Sequence, residues 1–293
     1  MSRKTISWNV LLVLVCWAWI VVPASAQHFQ QVKGTLATVS AGRNEVFGLD
    51  AHGGVWRLHP GTKSFLQVPN ASLVNIAVGG GTLSQRDEVW GVNATGGIFQ
   101  FNYSTQVFDQ ASGLLSQITV GVGNQDSCHP YEVWGVNSAD GIFRYNYCTS
   151  TFDTINGLLT QVVTGGGDVW GLNSADHIFH FNFATQTFAN IQGGLKQIAV
   201  GVNDVWGVNS ANNVFRYDPT SKAFNSVGGN TAQVTAGGDG VWIVDTSEHI
   251  WRFDSSSESF VQVPGILSSI NAGSGAGVFG INPSDHVYTF VRP

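Results

Sequence analysis

A short motif opened by valine recurs seven times along the chain and constrains its fold more than any other feature. The copies begin at Val46, Val89, Val133, Val169, Val205, Val241 and Val278. In every copy a second β-branched residue follows nine positions later, and successive copies are 36 or 37 residues apart in four steps and 43 or 44 in two. A fixed spacing of this kind is typical of small β-units arranged in tandem. The sequence therefore predicts one repeat domain with a repeated surface.

Each unit contains four short strand-like segments. In one copy they span residues 188–191, 195–201, 205–209 and 214–217, and Gly, Asn, Asp and Ser residues separate them. Four such segments in about 36 residues are typical of one blade of a β-propeller, which is a four-stranded antiparallel sheet. We therefore predict an all-β fold, a β-propeller of seven four-stranded blades.

The order of the strands within a blade follows from glycine. Glycine-rich stretches such as 119–121, 164–166 and 199–201 recur at one place in the unit. Small residues are needed where backbones crowd, so this strand is predicted to lie innermost, at the central axis. The segment 29–32 then corresponds to an outer strand, whereas 287–290 corresponds to a third strand. We expect the N-terminal strand to complete the last blade and close the ring.

The N-terminal segment has the features of a secretory signal. Arg3 and Lys4 precede the apolar run 6–22, and the small residues of 23–26 precede Gln27. This pattern predicts a signal peptide, 1–26, followed by a single propeller domain, 27–293, in a secreted protein. An uncleaved membrane anchor is the alternative, because the run approaches the length that spans a bilayer.

Charge excludes one class of partner. Of the 13 Lys and Arg residues, Arg3 and Lys4 leave with the signal, so 11 remain against 19 Asp and Glu, a net charge of −8. A negative chain offers no electrostatic attraction to phosphate backbones, so we expect no nucleic-acid partner, and no membrane contact after cleavage. Only 11% of all residues are charged. The surface is therefore expected to be rich in uncharged polar groups, which suit neutral polar ligands.

Cys128 and Cys148 are the two cysteines of the mature chain, and both belong to the third repeat. A pair in an exported protein favours a disulfide, and two free thiols are the alternative in a reducing compartment. If the hairpin turns near residues 139 and 140, the two cysteines lie at its open end. We therefore predict a disulfide on the rim opposite the turns.

The turn after the second strand supplies the candidate binding residues. It starts with an amide or carboxylate side chain in every copy: Asp50, Asn93, Asn137, Asn173, Asn209, Asp245 and Asn282. Such side chains often bond to the backbone of their own turn. They can also offer hydrogen bonds to a ligand. We predict Asn137, Asn173 and Asn209 as ligand-binding residues.

An aromatic residue occupies one position of the second strand in every copy: Phe47, Trp90, Trp134, Trp170, Trp206, Trp242 and Phe279. Most of these rings are expected in the core between blades, because neighbouring blades cover both faces of each sheet. Those that reach a rim are available for stacking. Trp134, Trp170 and Trp206 are therefore predicted as stacking surfaces beside the three asparagines.

No sequence pattern of a catalytic, metal or cofactor site occurs. His177, His249 and His286 share one position of the turn but lie in different repeats, so no metal site is predicted. Acidic residues such as Glu88, Glu132 and Asp168 recur just before the second strand. A propeller hydrolase that gathers carboxylates at its channel is the minor alternative. Catalysis normally needs one asymmetric site, so we expect no enzyme and no cofactor.

Two whole units carry a family resemblance. VWGVN at 133–137 with IFRY at 142–145, and VWGVN at 205–209 with VFRY at 214–217, resemble the tectonin repeat, as do GLLTQV at 157–162 and GLKQI at 194–198. The resemblance covers residues 28–293. It implies a β-propeller, and secreted members of the family include lectins that recognise microbial surface glycans.

Two departures from the family pattern stand out. Many tectonin lectins have six repeats, so six blades are the alternative to seven. The sixth copy also reads WIVD at 242–245 where others read WGVN. The expected function is that of a secreted lectin that binds glycans or glycoconjugates at repeated weak sites. The alternative is a non-catalytic protein-interaction scaffold that binds a protein partner.

Overall fold

The computed structural model describes residues 27–292, apart from the side chains of residues 124 and 125. The predicted signal peptide, 1–26, lies outside the described residues and stays a prediction. Among residues 27–292, every regular element is a β-strand. This part of the chain contains no helix long and apolar enough to cross a membrane.

The strands group into seven four-stranded blades along the chain. Blade 1 comprises β2 (Thr38–Ala41), β3 (Val46–Leu49), β4 (Gly54–His59) and β5 (Ser64–Ser72). Blade 2 comprises β6 (Asn75–Gly79), β7 (Glu88–Val92), β8 (Gly97–Asn102) and β9 (Val107–Leu114). Blade 3 comprises β10 (Gln117–Asp126), β11 (His129–Val136), β12 (Gly141–Asn146) and β13 (Thr151–Leu158).

The remaining four blades follow the same plan. Blade 4 comprises β14 (Gln161–Gly165), β15 (Asp168–Leu172), β16 (His177–Asn182) and β17 (Thr187–Gly194). Blade 5 comprises β18 (Gln197–Val200), β19 (Val205–Val208), β20 (Val214–Asp218) and β21 (Ala223–Gly228). Blade 6 comprises β22 (Thr231–Gly237), β23 (Gly240–Asp245), β24 (His249–Asp254) and β25 (Ser259–Ile266). Blade 7 comprises β26 (Ser269–Ala272), β27 (Val278–Ile281), β28 (His286–Val291) and the N-terminal β1 (His28–Thr35).

The N-terminal strand closes the ring as predicted. β1 pairs antiparallel with β28, from His28 opposite Val291 to Val32 opposite Val287. A single parallel bridge between Lys33 and Ser64 then links blade 7 to blade 1. The outer strand of the last blade therefore comes from the other end of the chain, and the two termini hold each other in place.

Side chains of the inner strands connect neighbouring blades around the axis. The amide of Gln197 accepts a hydrogen bond from Val234 N at 3.1 Å and donates one to Val234 O at 3.3 Å. Asn271 Oδ1 accepts from Ala41 N at 2.9 Å, which joins blade 7 to blade 1. A Cβ on Gly121 would lie 2.7 Å from Thr164 Oγ1 of the next blade. The glycine-rich strand is therefore innermost, where space is tightest, as predicted.

The tryptophans of the second strand form the core between blades. Trp134, Trp170 and Trp206 are each 0% exposed. Each ring packs against an aromatic residue of the next blade, as Trp206 does against Phe253 with centroids 4.7 Å apart. The prediction that these three rings serve as stacking surfaces is wrong, because adjacent blades cover them completely and no ring face is left for a ligand.

The departure in the sixth repeat has a packing explanation. In the other blades a leucine side chain packs against the glycine of the second strand. In blade 5, for example, a Cβ on Gly207 would overlap Cδ1 of Leu195. Blade 6 has Ile243 in place of that glycine and Thr231 in place of that leucine, and both side chains are buried. The larger residue in one strand is thus balanced by a smaller one in the other. The total side-chain volume at the two positions is therefore roughly kept, and blade 6 has the same fold as the others.

Cys128 and Cys148 form the predicted disulfide, with their Cα atoms 5.0 Å apart. Tyr147 N also donates a hydrogen bond to Cys128 O at 2.9 Å. The bridge lies at the end of the β11–β12 hairpin away from the turn at 137–141. The location on the rim opposite the turns is therefore confirmed.

Candidate functional site

The predicted asparagines lie in equivalent turns of blades 3, 4 and 5, on one face of the propeller. Asn137 Oδ1 accepts hydrogen bonds from Ala139 N at 3.0 Å and Gly141 N at 2.9 Å. Asn173 and Asn209 make the same pair of bonds in their own turns. The turn-forming role is therefore observed. Each side-chain oxygen is already engaged, which leaves the NH₂ group for a ligand, and the ligand-binding role stays a prediction.

The histidines of the same turns do not converge on one point. His249 lies 3.2 Å from Asp245 of its own turn, through Nδ1 and Oδ2. Within residues 27–292 no group of three His, Cys, Asp or Glu side chains is arranged to hold a metal ion. Burial acts to raise the pKa of the Asp245 carboxyl, but the carboxylate accepts four hydrogen bonds, from Ser247, His249 and Trp251. Together these bonds hold the pKa below its usual range.

The recurring acidic residues belong to a repeated polar cluster inside the blades. In blade 3 the buried carboxylate of Glu132 accepts two hydrogen bonds from Arg144, from Nε at 2.8 Å and from Nη2 at 2.6 Å. It also accepts one from Trp134 Nε1 at 2.7 Å. Arg144 Cζ lies 5.5 Å from the centre of the Trp134 ring. Acid, guanidinium and indole therefore satisfy one another.

The cluster varies between blades. In blade 2, Gln100 replaces the arginine, and Glu88 accepts from Gln100 Nε2 at 2.7 Å and Trp90 Nε1 at 3.0 Å. Burial without a cationic partner raises the pKa of Glu88 above its ordinary value. In blade 4, Asp168 bonds His180 at 2.6 Å and Trp170 at 2.9 Å. These carboxylates are structural partners of neighbouring strands, so they do not form a shared carboxylate site at the channel.

Blade 5 contains the same residue types without their mutual bonds. Among residues 27–292, Asp204 and Arg216 have no side-chain hydrogen bond or ion pair, and Trp206 Nε1 is buried with no partner. The guanidinium of Arg216 lies near two aromatic rings, with Cζ at 5.5 Å from the Trp206 centroid and 5.7 Å from that of Phe253. A buried donor without a partner is costly and uncommon in native proteins.

Blade 1 has an acid that reaches its arginine from the same kind of turn. Its four-residue turn, 42–45, has the same backbone bond as the turn 201–204 of blade 5, Gly42 N to Glu45 O at 2.9 Å against Gly201 N to Asp204 O at 2.8 Å. Glu45 nevertheless reaches Nε of Arg57 at 2.8 Å. The turns match, and glutamate is longer than aspartate by one methylene group. An aspartate can still reach the indole, as Asp168 does in blade 4, so the direction of the Asp204 side chain also matters: its Oδ1 lies beside Gly201, 2.6 Å from where a Cβ would stand.

An open groove adjoins Asp204 and Arg216. It measures about 590 Å³ and lies between blades 5 and 6, where Asp204, Arg216, Asn225, Phe253 and Glu258 are among its lining residues. Three carboxylates, those of Asp204, Asp218 and Glu258, accompany one guanidinium. The groove therefore combines hydrogen-bond donors and acceptors with an aromatic ring, and its charge disfavours an anionic occupant.

Equivalent grooves recur in two other blades. Arg252 lines one of about 330 Å³ in blade 6, and Arg57 lines one of about 400 Å³ between blades 1 and 2. The sequence analysis missed these positions because it sought ligand contacts in the turns. The sequence does contain a signal for them. At the position just before the motif valine, where blade 3 has Glu132, blade 5 has Asp204 and blade 6 has Gly240.

The fold matches known propellers of very different sequence. The structure of YCF48 bound to D1 peptide is 12% identical, with a TM-score of 0.66 over 93% of this chain and 99% of that chain. The propeller domain of Cps50 (Swd1) from Myceliophteria thermophila is 7% identical, with a TM-score of 0.68 over 91% and 100%. Human WBSCR16 is 11% identical, with a TM-score of 0.64 over 90% and 89%.

At the level of sequence, no curated protein matches the chain. The family model of the Tectonin domain, however, matches residues 20–193 and again residues 194–292. These two matches cover nearly the whole chain. Together with the seven repeated blades, they show that the chain belongs to the tectonin-domain family.

Proposed function

We propose that this protein is a secreted, non-catalytic lectin whose main sugar-binding site is the groove between blades 5 and 6. The observation that carries the proposal is that the side chains of Asp204 and Arg216 have no hydrogen-bond or ion-pair partner in the described part of the chain and line a groove of about 590 Å³. The corresponding groups of blade 3 are fully bonded to each other.

Sugar hydroxyl groups have the chemistry that this pair lacks. Each hydroxyl both donates and accepts, so one diol can donate to the Asp204 carboxylate and accept from the Arg216 guanidinium. Phe253 supplies an aromatic surface for the apolar face of a sugar ring. The excess of carboxylates over guanidinium groups favours a neutral sugar. Binding of this kind stabilises groups that have no partner within the protein.

Repetition gives such a protein a means of raising its avidity. The grooves at Arg57 and Arg252 share their position in the blade with the groove at Arg216. Several weak sites on one rigid ring bind a surface that carries many glycans more tightly than any single site. The turns of Asn137, Asn173 and Asn209 are a second candidate contact surface.

Secretion is part of the proposal. The disulfide between Cys128 and Cys148 is of a kind that persists in oxidising compartments. The pattern of residues 1–26 is that of a signal peptide.

A glycan array with the mature protein, residues 27–293, tests the proposal. We expect saturable binding to a coherent class of neutral glycans. The double variant Asp204→Asn with Arg216→Gln should weaken that binding at least about tenfold, the equivalent of one lost charge-assisted hydrogen bond. The matched control replaces Asn137, Asn173 and Asn209 by alanine. Loss of binding in the control with none in the double variant would move the site to the turns.

A protein-interaction scaffold is the second candidate, and exposed apolar residues favour it. Leu114 and Leu158 are 66% and 64% exposed at equivalent strand ends of blades 2 and 3. Isolated exposed leucines are common, but a repeated pair on adjacent blades suits an apolar partner segment. An empty glycan array, together with a stable protein partner lost on replacing both leucines by serine, would favour the scaffold.

A further inference from the structure

Arg252 in blade 6 is the equivalent of Arg144 but has no carboxylate partner. Its Nε is buried and makes no hydrogen bond within residues 27–292. Cζ lies 5.6 Å from the centre of the Trp242 ring, the same stacking that Arg144 has on Trp134. Blade 6 therefore keeps the guanidinium and its aromatic support while the acid is missing.

The acid is missing because Gly240 occupies its position in the repeat. A Cβ on Gly240 would have Arg252 Nε at 3.9 Å and, its adjoining residues aside, no other atom within 4 Å. Within residues 27–292 no carboxylate lies on the side of the guanidinium that Glu132 covers in blade 3. The nearest acidic residue in the sequence, Asp239, instead pairs with Arg292 Nη2 at 2.6 Å.

We infer that Arg252 binds the carboxylate of an acidic sugar through its Nη groups, which, unlike Nε, are not buried and have no carboxylate partner. A carboxylate and a guanidinium form two parallel hydrogen bonds. In blade 3 they do so through Nε and Nη2 at 2.8 and 2.6 Å, whereas the buried Nε of Arg252 leaves the two Nη groups for a ligand. The groove of about 330 Å³ lined by Arg252, Asp254 and Gln262 has room for the attached ring. This inference rests on the proposed lectin function and adds a second, acidic ligand class at a neighbouring blade.

The surrounding charges are compatible with an anion. Asp254 is the acidic residue among those that line this groove, and its carboxylate is held by Ser256 and Ser257. Arg292 adds a second guanidinium beside Asp239. Blade 5 differs, because three carboxylates line its groove. The two grooves therefore favour different ligands, a neutral sugar in blade 5 and an acidic one in blade 6.

The Nε–H signals of the arginines in a ¹⁵N–¹H spectrum of the mature protein provide the test. The variant Arg252→Lys identifies the signal of Arg252, and Arg144, whose Nε is bonded to Glu132, serves as the internal control. Sodium glucuronate, glucose and sodium acetate are titrated separately. We expect the Arg252 signal to shift saturably with glucuronate, and the apparent affinity to be at least about tenfold lower for glucose and for acetate.

Each outcome decides the matter. A saturable shift of Arg252 with glucuronate, with Arg144 unmoved, supports the inference. Equal affinity for acetate and glucuronate would show that Arg252 binds any carboxylate and does not recognise the sugar, which contradicts the inference. An unmoved Arg252 signal would overturn it. The signal of Arg216 reports separately on sugar binding in blade 5. Failure at Arg252 is therefore distinguishable from failure of the proposed function.

Discussion

Blades 3 and 5 are built from the same repeat but use their polar residues differently. In blade 3, Glu132, Arg144 and Trp134 are buried and satisfy one another, and a disulfide ties the end of the hairpin. In blade 5, Asp204 and Arg216 are partly exposed and unpaired beside an open groove. One copy of the unit thus contributes stability, whereas another leaves polar groups unpaired at the groove that we propose as the ligand site.

The difference shows how a repeat protein can separate folding from binding. The apolar positions are shared, since Trp134 and Trp206 are equally buried. The polar cluster beneath them is free to change, because one blade can lose its internal bonds while its neighbours keep theirs. Unsatisfied polar groups at one blade are therefore a stronger reason to propose a binding site than the residues that all copies have in common.

Removal of the Glu132 carboxylate has the largest expected effect. The substitution Glu132→Ala leaves the guanidinium of Arg144 buried without its partner, and breaking a buried ion pair in this way costs about 3 to 5 kcal/mol. Urea denaturation of the mature protein measures the loss. The matched control Asp204→Ala should change the free energy of unfolding by less than about 0.5 kcal/mol, because its carboxylate has no partner to lose. Equal losses in the two variants would contradict the comparison.

The disulfide is the next largest contribution of blade 3. Cys128 and Cys148 are 20 residues apart, and a loop of that size is expected to stabilise the fold by about 3 kcal/mol in the chain-entropy model. The double variant Cys128→Ser with Cys148→Ser should lose that amount in urea denaturation. Because the bridge is remote from blade 5, sugar binding should be unchanged below the unfolding transition. A loss of binding at full folding would show that the two blades are coupled.

The fold could be predicted from the sequence because its determinants are repeated. Apolar residues at constant spacing and turn residues between them specify the strands, and seven copies leave little ambiguity about a propeller. The disulfide followed from hairpin geometry. The sixth repeat, in which Ile243 and Thr231 replace the usual glycine and leucine, still has the spacing of the other repeats.

The candidate site could be predicted only in part. Asn137 and its equivalents form the expected turns, but Trp206 lies in the core, because a regular aromatic position in a propeller is an inter-blade position. The groove depends on whether Asp204 reaches Arg216, which the length and the direction of its side chain decide. Such a difference in reach becomes visible only when the backbone positions are known.

Closing the groove of blade 5 is a smaller change that tests the comparison directly. The substitution Asp204→Glu adds the methylene group that lets Glu45 reach Arg57 from the same kind of turn. New bonds to Arg216 and Trp206 Nε1 should raise the free energy of unfolding by about 1 kcal/mol. The same variant should weaken glycan binding, because its carboxylate and guanidinium then satisfy each other. Greater stability with unchanged binding would show that the groove of blade 5 is not the site.

The smallest expected effect concerns Glu88, which has the position of Glu132 but a neutral partner, Gln100. Burial raises the pKa of Glu88 above its value in the unfolded chain, so the folded protein is penalised when this group is ionised. The penalty is absent at pH values below the unfolded pKa, where the carboxyl is protonated in both states, and grows as the pH rises through that value. Glu88→Gln keeps an acceptor for Gln100 and Trp90 and removes the charge. At pH 7 the variant should therefore be more stable than the wild type by less than about 1 kcal/mol, and at pH 4 the gain should shrink towards zero. Urea denaturation at both pH values checks this, and a difference that stays constant with pH would mean that the charge of Glu88 has no part in the stability of blade 2.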